Sequence, residues 1–405
     1  MKTRYTLIIV SIFLSSCINN LNFDRGYFAP ANNEPVEIEF EILSDLIIIK
    51  AEINGVTGNF LFDNGSSLSA VNQEFANLAN IDFVNSSNIS DANNNQSSTP
   101  ETTVDSVVIN NQIFLKTGFI QINTDVFFPC DHIDGIIGAS IINKANWKIN
   151  FEEKKIQFSS VPFREEGFKL PVSFSNNNSS FTTIFILGTP YKCKIDLGST
   201  NGIKINKVYA KNSFDGLSAE KRIGIMSISV NGLGNIDTVY HLSEKIPLTN
   251  SGNTLPVQAR ILIKDKLKYQ GYIGINYLNN YELIINSTEK EYVLLNPKES
   301  LPAAIESSFG IVLYPLDDAW KIIQIDPYDS LLSKLELMDE VIMIDNSSIK
   351  RFEDICDYGE YLKIKIDKKE SLVISLKDSL TLELPFRINK TQEIPVYNRR
   401  RLTVK

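Results

Sequence analysis

The sequence predicts a mainly β fold built from two related units, followed by a third unit that mixes strands and helices. Three observations carry this. Apolar residues begin to alternate with period two at Val36. An ordered set of landmarks in the first half recurs in the second, and the texture of the chain changes after Pro297.

The N-terminus comes first. Lys2 and Arg4 precede an apolar run from Thr6 to Leu14, and Ser15-Ser16-Cys17 follows. A helix across a bilayer needs about 20 apolar residues, and this run is about half that. A basic start, a short apolar stretch and small residues before a cut mark an export signal. Leu14-Ser15-Ser16-Cys17 also resembles the bacterial lipobox. That resemblance implies diacylation of Cys17, which becomes the mature N-terminus. A lipid anchor would then tether the protein in the bacterial cell envelope, at the outer membrane or on the periplasmic face. Residues 18–34, rich in Asn, read as a linker from that anchor.

From Val36, the residues Val36, Ile38, Phe40 and Ile42 alternate with Glu, which is strand chemistry with one buried face. Leu46-Ile47-Ile48-Ile49 leads to the turn dipeptide Asn54-Gly55, and Phe60-Leu61-Phe62 returns to Asp63-Asn64-Gly65-Ser66-Ser67. Asn-Gly between two apolar runs is a strong hairpin signal. Phe181 to Ile186, a turn at Gly188, and Tyr191 to Ile195 repeat the arrangement, ending at Asp196-Leu197-Gly198-Ser199-Thr200. Eight residues separate turn glycine from aspartate in each copy, and the copies sit 133 apart. Asp134-Gly135-Ile136-Ile137-Gly138 answers to Gln270-Gly271-Tyr272-Ile273-Gly274, and each is followed by a closing hairpin, at Trp147 to Phe158 and at Tyr281 to Leu295. Four matches in one order make an internal duplication. Within the stretch from Asn72 to Thr103, Asn85-Ser86-Ser87-Asn88 and Asp91 to Gln96 read as a mobile polar loop. After Pro297, short strands alternate with two expected helices, near Ser330 to Leu337 and Phe352 to Tyr361. The expected division is 1–17 signal peptide, 18–34 linker, 35–165 first unit, 166–297 second unit, 298–388 third unit and 389–405 basic tail.

Composition narrows the function. Hydrophobic content of 43% and charge of 22% describe a globular chain, and a net charge of −8 argues against nucleic acid, whose phosphates need a basic surface. Beyond Cys17 there are only Cys130, Cys193 and Cys356, so one disulfide can form and its pairing stays open. The two histidines, His132 and His241, lie far apart, and no cluster has metal-ligand spacing. A histidine-dependent triad and a bound metal are therefore not expected.

What remains is carboxylate chemistry. An aspartate at the end of a buried strand, on an Asp-x-Gly-Ser turn, can be held rigidly because glycine permits the loop geometry. Two such turns in a duplicated chain would bring Asp63 and Asp196 together. The segments around Asp63 and Asp196 resemble the Asp-Thr/Ser-Gly motifs of aspartic proteases, and Ile136-Ile137-Gly138 and Tyr272-Ile273-Gly274 resemble the apolar-apolar-Gly motif packed beneath each catalytic loop. The resemblance spans roughly residues 36–297 and suits bacterial retropepsin-like proteases with two lobes fused in one chain. It implies two pseudo-twofold-related aspartic-protease-like β lobes and a catalytic dyad of Asp63 and Asp196. Gly65 and Gly198 would shape the loops, and Ser66 and Ser199 would support the carboxylates. The substrate would be a peptide or protein, and no cofactor is needed. Asn64 and Leu197 depart from the family, which usually places Thr or Ser there to join the loops by hydroxyls; an amide can take that role and a leucine cannot.

The third unit resembles a PDZ domain. Phe309-Gly310-Ile311 resembles its carboxylate-binding loop, and Ile322 to Ser330 followed by Leu335 to Asn346 resembles its bacterial core, with Met338-Asp339 where Gly-Asp is usual. The resemblance implies binding of a peptide C-terminus by strand addition. Together these features point to a membrane-tethered aspartic endopeptidase with PDZ-assisted recruitment. The alternative is a catalytically inactive peptide-binding lipoprotein with the same lobes.

Overall fold

The computed structural model describes residues 26–210, 213–229, 231–298, 309–326, 330–386 and 392–393. The expected signal peptide and Cys17 lie outside these residues, as does most of the basic tail.

Strands β1 (Tyr27–Ala29) and β2 (Val36–Glu39) come first, so the expected linker already contains a strand: Phe28 packs on the buried Phe114, which draws the segment onto the sheet. Then follow β3 (Leu46–Ile53), β4 (Val56–Phe62), β5 (Ser69–Val71), α1 (Gln73–Leu78), β6 (Asn85–Ser90), β7 (Gln96–Ile109), β8 (Gln112–Gln121), β9 (Gly135–Ile137) and α2 (Ala139–Ile142). The β3–β4 turn places Asn54 at φ 51° and Gly55 at φ 82°, both left-handed, as a two-residue hairpin turn demands. The sheet order is β1–β8–β5–β9–β4–β3–β7–β6.

The second half repeats this sequence of elements. After the hairpin β10 (Asn146–Asn150) and β11 (Lys155–Ser159), which closes the first half, it comprises β12 (Phe168–Pro171), β13 (Ser180–Ile186), β14 (Thr189–Asp196), β15 (Ile203–Asn206), β16 (Ser218–Ile225), β17 (Ile236–Ile246), β18 (Ala259–Lys264), β19 (Gly271–Gly274), α3 (Ile275–Leu278), β20 (Glu282–Asn286) and β21 (Glu291–Leu295). In both halves the aspartate-bearing strand pairs in parallel with the strand of the later glycine motif, β4 with β9 and β14 with β19. A six-stranded sheet, β12–β21–β20–β10–β11–β2, takes three strands from each half and joins them where Trp147 faces Ile285. One hydrophobic cluster runs through both halves, with Trp147 packed on Phe62, Phe114 and Phe158.

The C-terminal unit has its own core around Trp320, Phe352 and Tyr358. Its elements are β22 (Ile311–Leu316), β23 (Ala319–Ile325), β24 (Glu340–Ile344), α4 (Ile355–Lys368), β25 (Leu372–Leu376) and β26 (Thr381–Leu384). Asp354 caps α4 by accepting from the N–H groups of Cys356 and Asp357. Met338 sits at φ 75°, which explains why a glycine suits that turn better. Strand pairing and a covalent bond attach the unit. Ile223 and Gly224 of β16 pair with Ile325 and Gln324 of β23, and a disulfide joins Cys130 to Cys356. Cys193 is a free, buried thiol whose burial pushes its pKa well up.

Two expectations need correction. The expected polar loop over residues 85–96 is instead β6, its turn and the start of β7, a hairpin whose alternation is muted because much of it is exposed on both faces. The expected helix at Ser330 to Leu337 is a single 3-10 turn, Leu332–Lys334, too short to expose a helical period, and the later helix starts within the expected span, at Ile355, and ends beyond it, at Lys368.

Candidate active site

Asp63 follows the end of β4 and Asp196 ends β14, so two rigid strands deliver both carboxylates. Equivalent backbone bonds brace the loops: Ser66 O accepts from Ala139 N at 2.8 Å, and Ser199 O accepts from Ile275 N at 2.9 Å. Each carboxylate lies against the glycine of the other loop. A Cβ on Gly65 would fall 2.1 Å from Asp196 Oδ1, and one on Gly198 would fall 2.3 Å from Asp63 Cγ. Only glycine fits at either place. Asp63 Oδ1 accepts from Gly65 N at 2.7 Å and, across the two halves, from Gly198 N at 3.0 Å.

Asn64 makes the lateral link. Its Oδ1 accepts from Leu197 N at 2.8 Å, and its Nδ2 donates to Tyr292 OH at 2.9 Å and to Ser180 Oγ at 3.3 Å. Leu197 is fully buried in the shared core. One amide thus crosses between the halves while leucine contributes packing and its backbone N–H. Neither Ser66 nor Ser199 hydrogen-bonds a carboxylate through its hydroxyl. Ser66 Oγ donates to Leu68 O at 2.8 Å, and Ser199 Oγ is buried without a hydrogen-bond partner among the described residues.

Burial, and after it the charge of Asp196, pushes the Asp63 carboxyl up to about 7, against the opposing pull of Lys194 and the two glycine N–H groups. Lys194 was not among the residues singled out from the sequence. Its ammonium donates to Gly65 O and lies 3.6 Å from Asp196 Oδ2. The signal was present: Lys194 stands two residues before Asp196, on the same strand face. Ser180 and Tyr292 were also missed, and nothing local in the sequence marks them.

The turn of the β6–β7 hairpin reaches a short hairpin between β16 and β17. Asn93 Nδ2 donates to Ser229 Oγ at 3.2 Å, Ser97 Oγ donates to Asn231 Oδ1 at 2.8 Å, and Ser229 donates to Asp91. Lys268 adds a bond to Ser90 O at 3.1 Å. A cavity of about 710 Å³ lies beside this hairpin and α1, and another of about 490 Å³ lies along β2 and β3; neither is lined by Asp63 or Asp196. No group of three or more metal-ligating side chains occurs among the described residues. Phe309 is buried in the C-terminal unit's own core, and Gly310 takes φ 77° just before β22.

Residues 49–141 match the model of the aspartyl protease family. The matched stretch is similar to that family over less than half of the chain. It includes Asp63, Gly65 and Gly138, and runs from β3 into α2. A retropepsin-like aspartic protease from Rickettsia conorii is similar at 20% identity and a TM-score of 0.25, over 31% of this chain and 93% of that one. No curated protein matches the sequence.

Proposed function

We propose that this chain is a bilobal aspartic endopeptidase in which Asp63 and Asp196 act as one dyad. The observation that supports this most is the mutual placement of the two carboxylates, each against the opposite loop's glycine. Two buried carboxylates in one site share a proton, because both cannot ionise cheaply. Lys194 lies beside Asp196, and the raised affinity of Asp63 for a proton makes Asp63 the acid.

Asp196 takes a proton from a water held between the carboxylates, and the water oxygen bonds to the peptide carbonyl carbon. Asp63 gives its proton to the carbonyl oxygen. The tetrahedral adduct then collapses: the C–N bond breaks, the amine leaves with the proton held by Asp196, and the resulting carboxyl product restores the proton on Asp63. The alkaline limb of activity falls near pH 7, where Asp63 would lose its proton.

The C-terminal unit is read as a PDZ-like module that takes a peptide C-terminus beside β22 and α4. The N-terminal sequence pattern supports a lipid anchor on Cys17 in the bacterial envelope; loss of fatty-acid labelling in Cys17→Ala is the outcome expected. The enzyme reading is tested by incubating the protein with a diverse peptide pool from pH 3 to 8. Cuts that vanish in Asp63→Asn and in Asp196→Asn are expected. A parent that makes no cuts at any pH, or variants that keep them, overturns it.

A further inference from the structure

The two halves face their aspartates with different chemistry. Beside Asp63, one row crosses the sheet in direct register: Leu61 on β4, Ile136 on β9, Ala70 on β5 and Ile120 on β8. All four are buried and apolar. Beside Asp196, the corresponding row is Lys194 on β14, Tyr272 on β19, Lys204 on β15 and Leu262 on β18. Side chains two apart on a strand share a face, and residues opposite one another in register do too. Each row therefore lies on the aspartate-bearing face of its sheet. Three apolar positions in the first half are two lysines and a tyrosine in the second.

The ammonium groups are not equally engaged. Lys194 is held by Gly65 O and Asp196, Lys264 lies 3.8 Å from Asp237, and Lys268 donates to Ser90. Lys204 is half-buried with its ammonium 5.3 Å from the centre of the Tyr272 ring, and it has no hydrogen bond or ion pair among the described residues. Burial is the main cause that pushes its pKa down to about 8; Lys264 and Lys194 add to this and Asp196 opposes it. It still carries charge at neutral pH. A partly desolvated ammonium without a counter-ion is costly, and an incoming carboxylate would relieve it. In a chain of net charge −8, this is a local concentration of positive charge against the general trend.

We propose that Lys204, backed by Lys194 and floored by Tyr272, forms a subsite that selects an aspartate or glutamate side chain of the substrate at one fixed position from the scissile bond. This rests on the peptidase reading of the same site and adds its substrate class. The lobe opposite, lined by Leu61, Ile136 and Ile120, takes apolar side chains, so the preferred substrate is amphiphilic across the bond. A glutamine in place of the glutamate fills the same volume and leaves the ammonium unpaired, which is the basis of discrimination.

The test uses the full chain and a pool of randomised octapeptides, followed by matched Glu and Gln peptides. The parent is expected to prefer Glu by roughly ten- to a hundred-fold in kcat/KM, the range for one charge-assisted hydrogen bond. Lys204→Met should bring that ratio close to one, and Lys204→Arg should keep most of it. A ratio near one in the parent, or an unchanged ratio in Lys204→Met, overturns the proposal; the latter would reduce Lys204 to a group that only tunes the dyad. Should the parent cut nothing, the peptidase reading fails by itself. The subsite is then judged by capturing the same pool on the immobilised Asp63→Asn chain, where acidic enrichment at one position supports it and uniform capture overturns it.

Discussion

Asp63→Asn should make the folded protein more stable at neutral pH. The folded state pushes the Asp63 carboxyl from 3.8 up to about 7, mainly through burial and the nearby Asp196 charge. The group thus binds its proton more tightly in the folded chain than in the unfolded one. Its stabilising contribution is complete below pH 3.8 and is lost as pH rises through about 7. At about 1.4 kcal/mol per unit, the loss over that window is on the order of 4 kcal/mol. Asparagine keeps the Oδ1 acceptor for Gly65 N and Gly198 N and removes the charge, so the variant lacks this loss. Urea unfolding at pH 4 to 8 measures it. Trp147 is buried in the shared core and Trp320 lies in the C-terminal unit, so a Trp320→Phe background lets Trp147 alone report on the site's own framework. The variant's advantage should grow steadily between pH 4 and 7 and level off above. Parallel pH profiles for parent and variant would refute the account of Asp63 as the proton-holding member.

Asn64→Leu removes the acceptor of Leu197 N and the donor to Tyr292 in a fully buried place, and should cost roughly 2–4 kcal/mol in urea unfolding. Lys194→Met deletes the charge that lowers the Asp63 pKa, so the alkaline limb of the pH–rate profile should move to higher pH. Gly224→Val puts a Cβ about where Ile323 O now sits, 2.1 Å away, at φ 146°; hydrogen exchange should rise in β16 and β23 as the C-terminal unit loosens from the second half. Cys130→Ser with Cys356→Ser opens a cross-link between residues 226 apart and should cost roughly 3–5 kcal/mol, read as a lower Tm for the unit containing Trp320.

Local physics made much of this legible in the sequence. Asn54-Gly55 and the Leu187-Gly188 turn both take left-handed backbone, and the hairpins they close end at Asp63 and Asp196. The parallel pairing of β4 with β9 and β14 with β19 falls on the motifs that recur in order. The β6–β7 hairpin escaped notice because its strands are largely polar, and its turn is held by side-chain bonds to residues more than 130 positions away rather than by a core. Asn64 meets Tyr292 across 228 residues, and Cys130 meets Cys356 across 226; such partners leave no periodic trace. The support expected from Ser66 and Ser199 takes no hydrogen-bonded form, since Ser66 Oγ is spent on Leu68 O and Ser199 Oγ bonds nothing among the described residues.

The central claim, that two carboxylates work as one catalytic unit, is tested most directly by kcat/KM on a single cleaved peptide for Asp63→Asn, Asp196→Asn and the double variant. Residues that act as a unit lose their effect together. Each single variant should therefore fall to the background rate, with the double variant no lower. Measurable activity in either single variant, or a further drop in the double, would contradict a shared dyad.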